Sequence, residues 1–159
     1  MAKMLVCYYS RTKHTEHMAE AIGKAAAEVD GVEVDVLPVG KVAAKGLPDY
    51  DAIVLGSPTY YGTMAGELKT LIDESVVFHG RLSGKVGGAF ASSANIGGGN
   101  ETTIMDILRA LLIHGMVVSG MAKGDHYGPV AIGDLDERSA KQCADYGRAV
   151  AELAVKLHG

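Results

Sequence analysis

Apolar residues along this chain come in short unbroken runs separated by segments with helical spacing. Residues 4–9 (MLVCYY) form a nearly continuous apolar segment, as a strand covered on both faces would, and Asp51–Gly56 (DAIVLG), Val86–Ala91 (VGGAFA) and Met116–Ser119 (MVVS) repeat that character. The stretch VEVDVLPV alternates instead. Val32, Val34 and Val36 fall on one side and Glu33 and Asp35 on the other, as in a sheet-edge strand with one exposed face. Between these runs Met18, Ile22, Ala25, Ala26 and Val29 make one helical stripe. Leu68, Leu71 and Ile72 make a second, and Ile104, Ile107, Leu108, Leu111 and Leu112 a third, which Gly115 is placed to stop. A last helix is predicted from about Asp136 to Leu157, with Cys143, Val150, Leu153 and Leu157 on one face and Asp136-Glu137 near its positive end. Residues 41–47 have room for a turn or two of helix.

The resulting order, β-α-β-(short α)-β-α-β-α-β-α, calls for a doubly wound α/β fold. It predicts a five-stranded parallel sheet with right-handed crossovers and helices on both faces. With the alternating strand at an edge, the order 2-1-3-4-5 fits. Ligands of such sheets bind beyond the carboxyl ends of the strands, where the chain turns from strand 1 one way and strand 3 the other. Those loops are therefore where function is expected.

Length and composition narrow the classes. A chain of 159 residues suits one domain, residues 1–159, with a core that needs no disulfide or metal. Cys7 and Cys143 stand far apart without a Cys-x-x-Cys or Cys/His cluster and read as small buried side chains. The net charge of −4, with fifteen scattered basic residues, gives no footprint for a nucleic-acid backbone, so no nucleic-acid partner is expected. No run approaches the roughly 20 apolar residues of a membrane span, and MAKMLVCYY lacks the pattern of a signal peptide. No membrane association and a cytoplasmic location are expected.

At the end of strand 1, Ser10-Arg11-Thr12-Lys13-His14-Thr15 leads into the first helix. Three hydroxyls, basic side chains, loop amides and a helix dipole converge there, which suits a phosphate. The plainer alternative makes Thr15 an N-cap and the basic residues solvated. Neither Gly-x-Gly-x-x-Gly nor Gly-Lys-Ser/Thr is present. At the end of strand 3, Gly56-Ser57-Pro58-Thr59-Tyr60-Tyr61-Gly62 offers a Pro-set turn, glycines for close approach and two tyrosines for a flat ring, or for rim packing. At the end of strand 4, Ser92-Ser93-Ala94-Asn95-Ile96-Gly97-Gly98-Gly99-Asn100-Glu101 exposes backbone to a ligand edge or simply connects, with Asn100 as the expected N-cap of the next helix.

These motifs together with MAKMLVCYYS, DYDAIVLGSPTYYG, GGGNETT, HGM and LAVKLHG cover nearly the whole chain. They resemble the flavodoxin-like superfamily, and within it the WrbA-type NAD(P)H:quinone oxidoreductases. The resemblance implies a flavodoxin-like FMN-binding domain. Ser10, Arg11, Thr12, Lys13, His14 and Thr15 would hold the FMN phosphate. Pro58, Thr59, Tyr60, Tyr61 and Gly62, with Ser92, Ser93, Ala94, Asn95, Ile96 and Gly97, would border the isoalloxazine. It departs from the family pattern in having Lys13 where Gly is usual and Ile113-His114-Gly115-Met116 where His-His-Gly-Met is common. The segments Gly40–Pro48 and Gly120–Tyr127 are also shorter than insertions that help shape the family's tetramer and nicotinamide pocket.

The implied function is hydride transfer from NAD(P)H through FMN to a quinone or similar flat acceptor, in a homo-oligomer, dimer or tetramer, with no resident metal. Tyr60, Tyr61 and Met64 are expected as exposed apolar residues at a subunit boundary. The alternative is a flavodoxin-type one-electron carrier, although such carriers tend to be strongly acidic to steer towards basic partners.

Overall fold

The structure, a computed structural model, describes residues 1–159. In chain order it contains β1 (Ala2–Tyr8), α1 (His14–Ala26), β2 (Val32–Pro38), two 3-10 segments (Val39–Lys41 and Ala44–Asp49), β3 (Ala52–Pro58) and α2 (Gly66–Glu74), which runs on into a 3-10 turn (Ser75–Phe78). Then follow β4 (Val86–Ser93), α3 (Asn100–Ile113), β5 (Val117–Val118), β6 (Val130–Ile132) and α4 (Glu137–His158). The sheet is parallel and ordered β2-β1-β3-β4-β5, as expected.

The unbroken apolar runs are explained by burial on both faces. In β1, Met4 and Val6 pack with Met18, Ile22, Val54, Phe90 and Tyr146 on the side of α1 and α4, while Leu5 and Cys7 pack with Leu68, Ile104, Ile107 and Leu111 on the side of α2 and α3. Each core is what one parity of a two-residue repeat presents. Both cysteines are buried, and burial pushes their thiols up to about 12, which leaves them protonated and inert. The edge strand β2 is less open than its alternation suggests. Leu37 packs against the second core, and Asp35 accepts a hydrogen bond from Tyr50 Oη at 2.8 Å. Leu112 and Leu157, expected on buried stripes, are exposed: Leu112 lies on the solvent side of α3 between buried Leu111 and His114, and Leu157 lies in the exposed last turn of α4.

The fifth sheet position differs from expectation. The strand expected at Met116–Ser119 is only Val117–Val118, paired with Val86 and Gly87. The chain leaves over 119–129 and returns as β6, which pairs with Ala91, Ser92 and Ser93 of the same strand. Three residues after Gly128-Pro129 are too short a run to read as a strand. The interruption leaves the outward amide of Ala89 with no strand beside it, and the buried Tyr146 hydroxyl accepts that N–H at 3.0 Å. A phenol from α4 thus stands in for the missing backbone carbonyl.

The return through β6 sets the wall of the sheet's carboxyl edge. Gly133 N–H donates to Ser93 O at 2.8 Å, and Asp134 Oδ1 lies 2.8 Å from His17 Nδ1 on α1. Asp136 then caps α4 through a reciprocal box with Ser139. The 119–129 excursion is fastened by Arg138, which donates to Asp125 Oδ1 at 2.9 Å and to Val130 O at 2.6 Å.

Tyr146→Phe should leave the Ala89 amide buried without an acceptor and lower stability by about 1–3 kcal/mol, read as a lower urea midpoint with unchanged slope. A second expectation concerns pH. The hydrogen bond to Asp134 raises His17 above its ordinary 6.5, and the bonds from His17 and Leu135 hold Asp134 below its ordinary 3.8. The histidine's contribution is complete below 6.5 and is lost as pH rises through its raised value, while the aspartate's is present above 3.8 and is lost on acidification. The stability gap between wild type and Asp134→Asn should therefore be widest between those values and shrink at pH 9, as urea melts at several pH values will measure.

Candidate functional site

The register of the three central strands brings their carboxyl ends close together, β1 stopping at Tyr8 and β3 and β4 running on to Pro58 and Ser93. Tyr8 lies beside Gly56, and Gly56 beside Phe90. A cavity of about 650 Å³ opens beyond them, and among its lining residues are Arg11, Thr12, His14 and Thr15 from the first loop, Pro58, Thr59 and Tyr60 from the second, and Ser92, Ser93 and Ala94 from the third. All three loops singled out in the sequence meet here. Gly133 completes the wall from the loop after β6. It was missed with that strand; its signal was Val130-Ala131-Ile132 running into Gly-Asp, a short apolar run ending in turn residues like the others.

The first loop is rich in uncommitted donors. Tyr9 N–H donates to Gly56 O and His17 N–H to Lys13 O, but the backbone N–H groups of Ser10, Arg11, Thr12 and Lys13 have no partner in the protein. Ser10 Oγ is buried and equally unpartnered. Helix α1 begins at His14, and Lys13 holds the N-cap position with φ 72° and makes no side-chain cap. Thr15 is therefore no N-cap: it is buried, with Oγ1 3.0 Å from Ser92 Oγ. The loop takes the left-handed turn that glycine would adopt more easily, so Lys13 in place of glycine leaves its path intact at some conformational cost. A run of free amides at a positive helix end, with a buried hydroxyl lacking a partner, is the donor set an anion needs.

The other two walls are braced against each other. Thr59 N–H donates to Ser92 O at 2.7 Å, Thr103 Oγ1 to Thr59 Oγ1 at 3.0 Å, and Thr102 Oγ1 to Gly62 O at 2.6 Å. Ser57 Oγ accepts from Ala65 N–H at 2.8 Å, closing the base of the second loop. Gly56 does not serve a ligand: a Cβ there would lie about 2.0 Å from the Phe90 ring, so its bareness makes room for the core. Asn100 is the first residue of α3 rather than its cap. Gly99 takes the cap position at φ 101°, and Asn100 Nδ2 donates to Ser93 Oγ at 3.1 Å. In the third loop the N–H groups of Ala94, Asn95, Ile96 and Gly97 have no protein partner, so backbone donors face outward here too.

The paired tyrosines separate. Tyr60 lines the cavity and meets Tyr9 edge-on, ring centres 6.3 Å apart. Partial burial and the Glu67 carboxylate raise the Tyr9 phenol. Tyr61 is wholly exposed and does not line this cavity. It occupies, at φ 49°, the first central position of a two-residue turn closed by reciprocal Tyr60–Thr63 backbone bonds, with Gly62 at φ 80°. Such turns ordinarily carry Asn-Gly, and a tyrosine there costs roughly 1–2 kcal/mol. Met64, expected to be exposed, is buried in the core against α2 and α3. Ile96 and Gly97 face an adjoining cavity of about 560 Å³, whose lining also includes Gly99, Asn100, Glu101 and Thr102. Ser10, Lys13, Gly62 and Asn95 line neither cavity, and the Ser10 hydroxyl lies buried beneath the loop.

His114 belongs elsewhere. It caps the carboxyl end of α3, whose other end borders the site, and its Nε2 lies 2.7 Å from Ser75 Oγ. Burial, then the neighbouring His79, lowers its pKa. It is a buried helix-terminal residue, and no cavity wall at the strand ends includes it.

No helix is long and apolar enough to cross a membrane. Comparison with known structures returns the same architecture. A flavodoxin, WrbA-like protein from Agrobacterium tumefaciens superposes with a TM-score of 0.84 at 26% identity, over 99% of each chain. A flavodoxin from the domain Archaea gives 0.79 at 28% identity, over 96% of this chain and 98% of the other. Flavodoxin 2 from Bacillus cereus gives 0.79 at 25%, over 96% and 99%. The fold is thus flavodoxin-like, and the model of one family, described as NADPH-dependent FMN reductase, matches residues 41–124, which is more than half of the chain and includes the second and third loops of the cavity. The chain belongs to the NADPH-dependent FMN reductase family.

Proposed function

We propose that the protein binds FMN and uses it to pass hydride from NAD(P)H to a quinone or similar flat acceptor. The observation that carries the reading is the first loop, where four consecutive backbone amides and the buried Ser10 hydroxyl lack any protein partner at the head of α1. This set fits a phosphate monoester. Ser10, Thr12 and the loop amides would hold it, with Arg11 and His14 supplying charge from the cavity wall and Thr15 bracing the cradle through Ser92. FMN rather than FAD suits a phosphate cradle at the head of α1 with no recognisable second site for a pyrophosphate or adenine.

Bound FMN supplies two-electron chemistry, accepting and returning hydride. The protein's part is positional. Tyr60 and Thr59 offer one wall for a flat ring, the unpartnered amide of Ala94 offers a donor along its edge, and the mouth stays open to a second flat molecule. No side-chain acid or base is needed at the acceptor, because quinone oxygens take protons from water. Arg11 and Lys13, both exposed, would also draw an anionic nicotinamide cofactor. A symmetric homo-oligomer, dimer or tetramer, is part of this reading. Its support rests on exposed Ile96 beside the site, since Met64 is buried.

Two measurements test this. Ser10→Ala should weaken FMN by about 10–150-fold, the worth of one hydrogen bond to a charged oxygen, while the FMN-free protein melts no lower because an unpaired buried hydroxyl has been removed. Fluorescence titration and thermal melts read the two effects. Initial rates with NADPH and benzoquinone should give parallel double-reciprocal lines, as expected when NADP⁺ must leave before the acceptor stacks on the same face. Tight FMN binding without NAD(P)H turnover would make the protein a one-electron carrier instead.

A further inference from the structure

Tyr61 is the most exposed aromatic residue of the chain and one of only two non-glycine residues with positive φ. Nothing in the fold requires a tyrosine there. The two-residue turn would be relaxed with asparagine in that place, and the ring contributes no burial that could repay the strained backbone. The turn is nevertheless held rigidly. Thr102 grips Gly62 O at 2.6 Å, and Thr63 Oγ1 donates to Asp106 Oδ2 at 2.6 Å. A Cβ on Gly99 would come within 2.8 Å of Gly62 Cα, so the tip is pressed directly against the third loop.

Its position is specific. Tyr60 on one side forms a wall of the larger cavity, and Gly62 on the other abuts Gly99 and Thr102, which line the adjoining one. Tyr61 thus lies in the chain between a residue of one cavity wall and a residue packed on the lining of the other, with its ring in solvent, on a tip that α3 braces. Resting on the FMN reading above, we infer that Tyr61 is an acceptor-positioning residue: its ring stacks on the flat quinone as it enters the mouth and does not hold FMN. This reassigns Tyr61 from the isoalloxazine border that the family resemblance implies. A preorganised aromatic face suits a transient flat ligand, because the ring's freedom is spent before the ligand arrives.

The test uses the full chain loaded with FMN, as wild type, Tyr61→Asn and Tyr61→Phe. Oxidised 1,4-naphthoquinone is titrated into the oxidised protein, where no reaction occurs, and its Kd is taken from the flavin difference spectrum. Tyr61→Asn should weaken the quinone about five- to tenfold, in line with the loss of an aromatic pair. It should keep the FMN Kd within about twofold and raise Tm by about 2–4 °C as the turn relaxes. In turnover it should raise the quinone KM while kcat holds, and Tyr61→Phe should restore the wild-type Kd and KM without the gain in Tm. An unchanged quinone Kd in Tyr61→Asn overturns the inference while leaving the FMN reading standing. A tenfold loss of FMN would return Tyr61 to the flavin border, and a change of oligomeric state would assign it to a subunit contact, each overturning it. If wild type fails to bind FMN at all, the reading above falls first.

Discussion

The register of β1, β3 and β4 is the constraint on which the rest of the molecule depends. Because β1 ends at Tyr8 beside Gly56, and β3 and β4 run on only to Pro58 and Ser93, three chains leave the hydrogen-bonded sheet close together. Backbone amides inside the sheet are consumed by neighbouring strands; those just beyond it are not. The free N–H groups of residues 10–13 and 94–97 follow from that exit. So does the brace between Thr59 and Ser92, which continues the β3–β4 ladder just past the end of β3. The site is the place where the sheet's own bonding stops, with α1 starting close enough to add its dipole.

The same logic governs the far edge. Splitting the fifth position into β5 and β6 lets the chain make an excursion and still return to the carboxyl edge, where Gly133 joins the cavity wall. That arrangement is stable only if the gap in the ladder is closed, and Tyr146 closes it from α4. The capping box at Asp136 and the Arg138 bonds then fix α4 and the excursion together. A residue deep in the core, a helix cap and a loop at the site are thereby parts of one structural solution.

Much of this was legible because burial on two faces writes itself as unbroken apolar runs, and the strand order followed from one alternating edge strand. The first loop stood out because hydroxyl and basic residues are poor choices for a turn that only reverses the chain. What stayed hidden depended on tertiary neighbours. Gly56 looked like ligand space, and only the Phe90 ring shows that the core fills it. Tyr60 and Tyr61 are adjacent and chemically alike, yet a turn with positive φ sends one into the wall and the other into solvent. Met64 was misplaced because the core against α2 and α3 reaches into the loop before α2, and Asn100 because α3 starts one residue early, with Gly99 as its cap. β6 fell below the length at which periodicity means anything.

Only Lys13 and Tyr61 combine a side chain with positive φ, and both lie on loops that build the candidate site. Elsewhere the chain uses glycine for such conformations, so the strain is concentrated at the functional end. At Lys13 the turn opens the head of α1 and puts a cation beside the anion cradle, where a glycine would give the same path without the charge. At Tyr61 the turn holds an aromatic ring in solvent, next in the chain to the cavity wall at Tyr60. In both cases the backbone shape is one glycine could supply more cheaply, and what the side chain adds is chemistry directed outward. Strain of roughly 1–2 kcal/mol at each position is small beside two cores that between them cover both faces of the sheet. The fold can carry it because the elements beneath, β1 with α1 and β3 with α3, are held by burial and leave the loops no cheaper route.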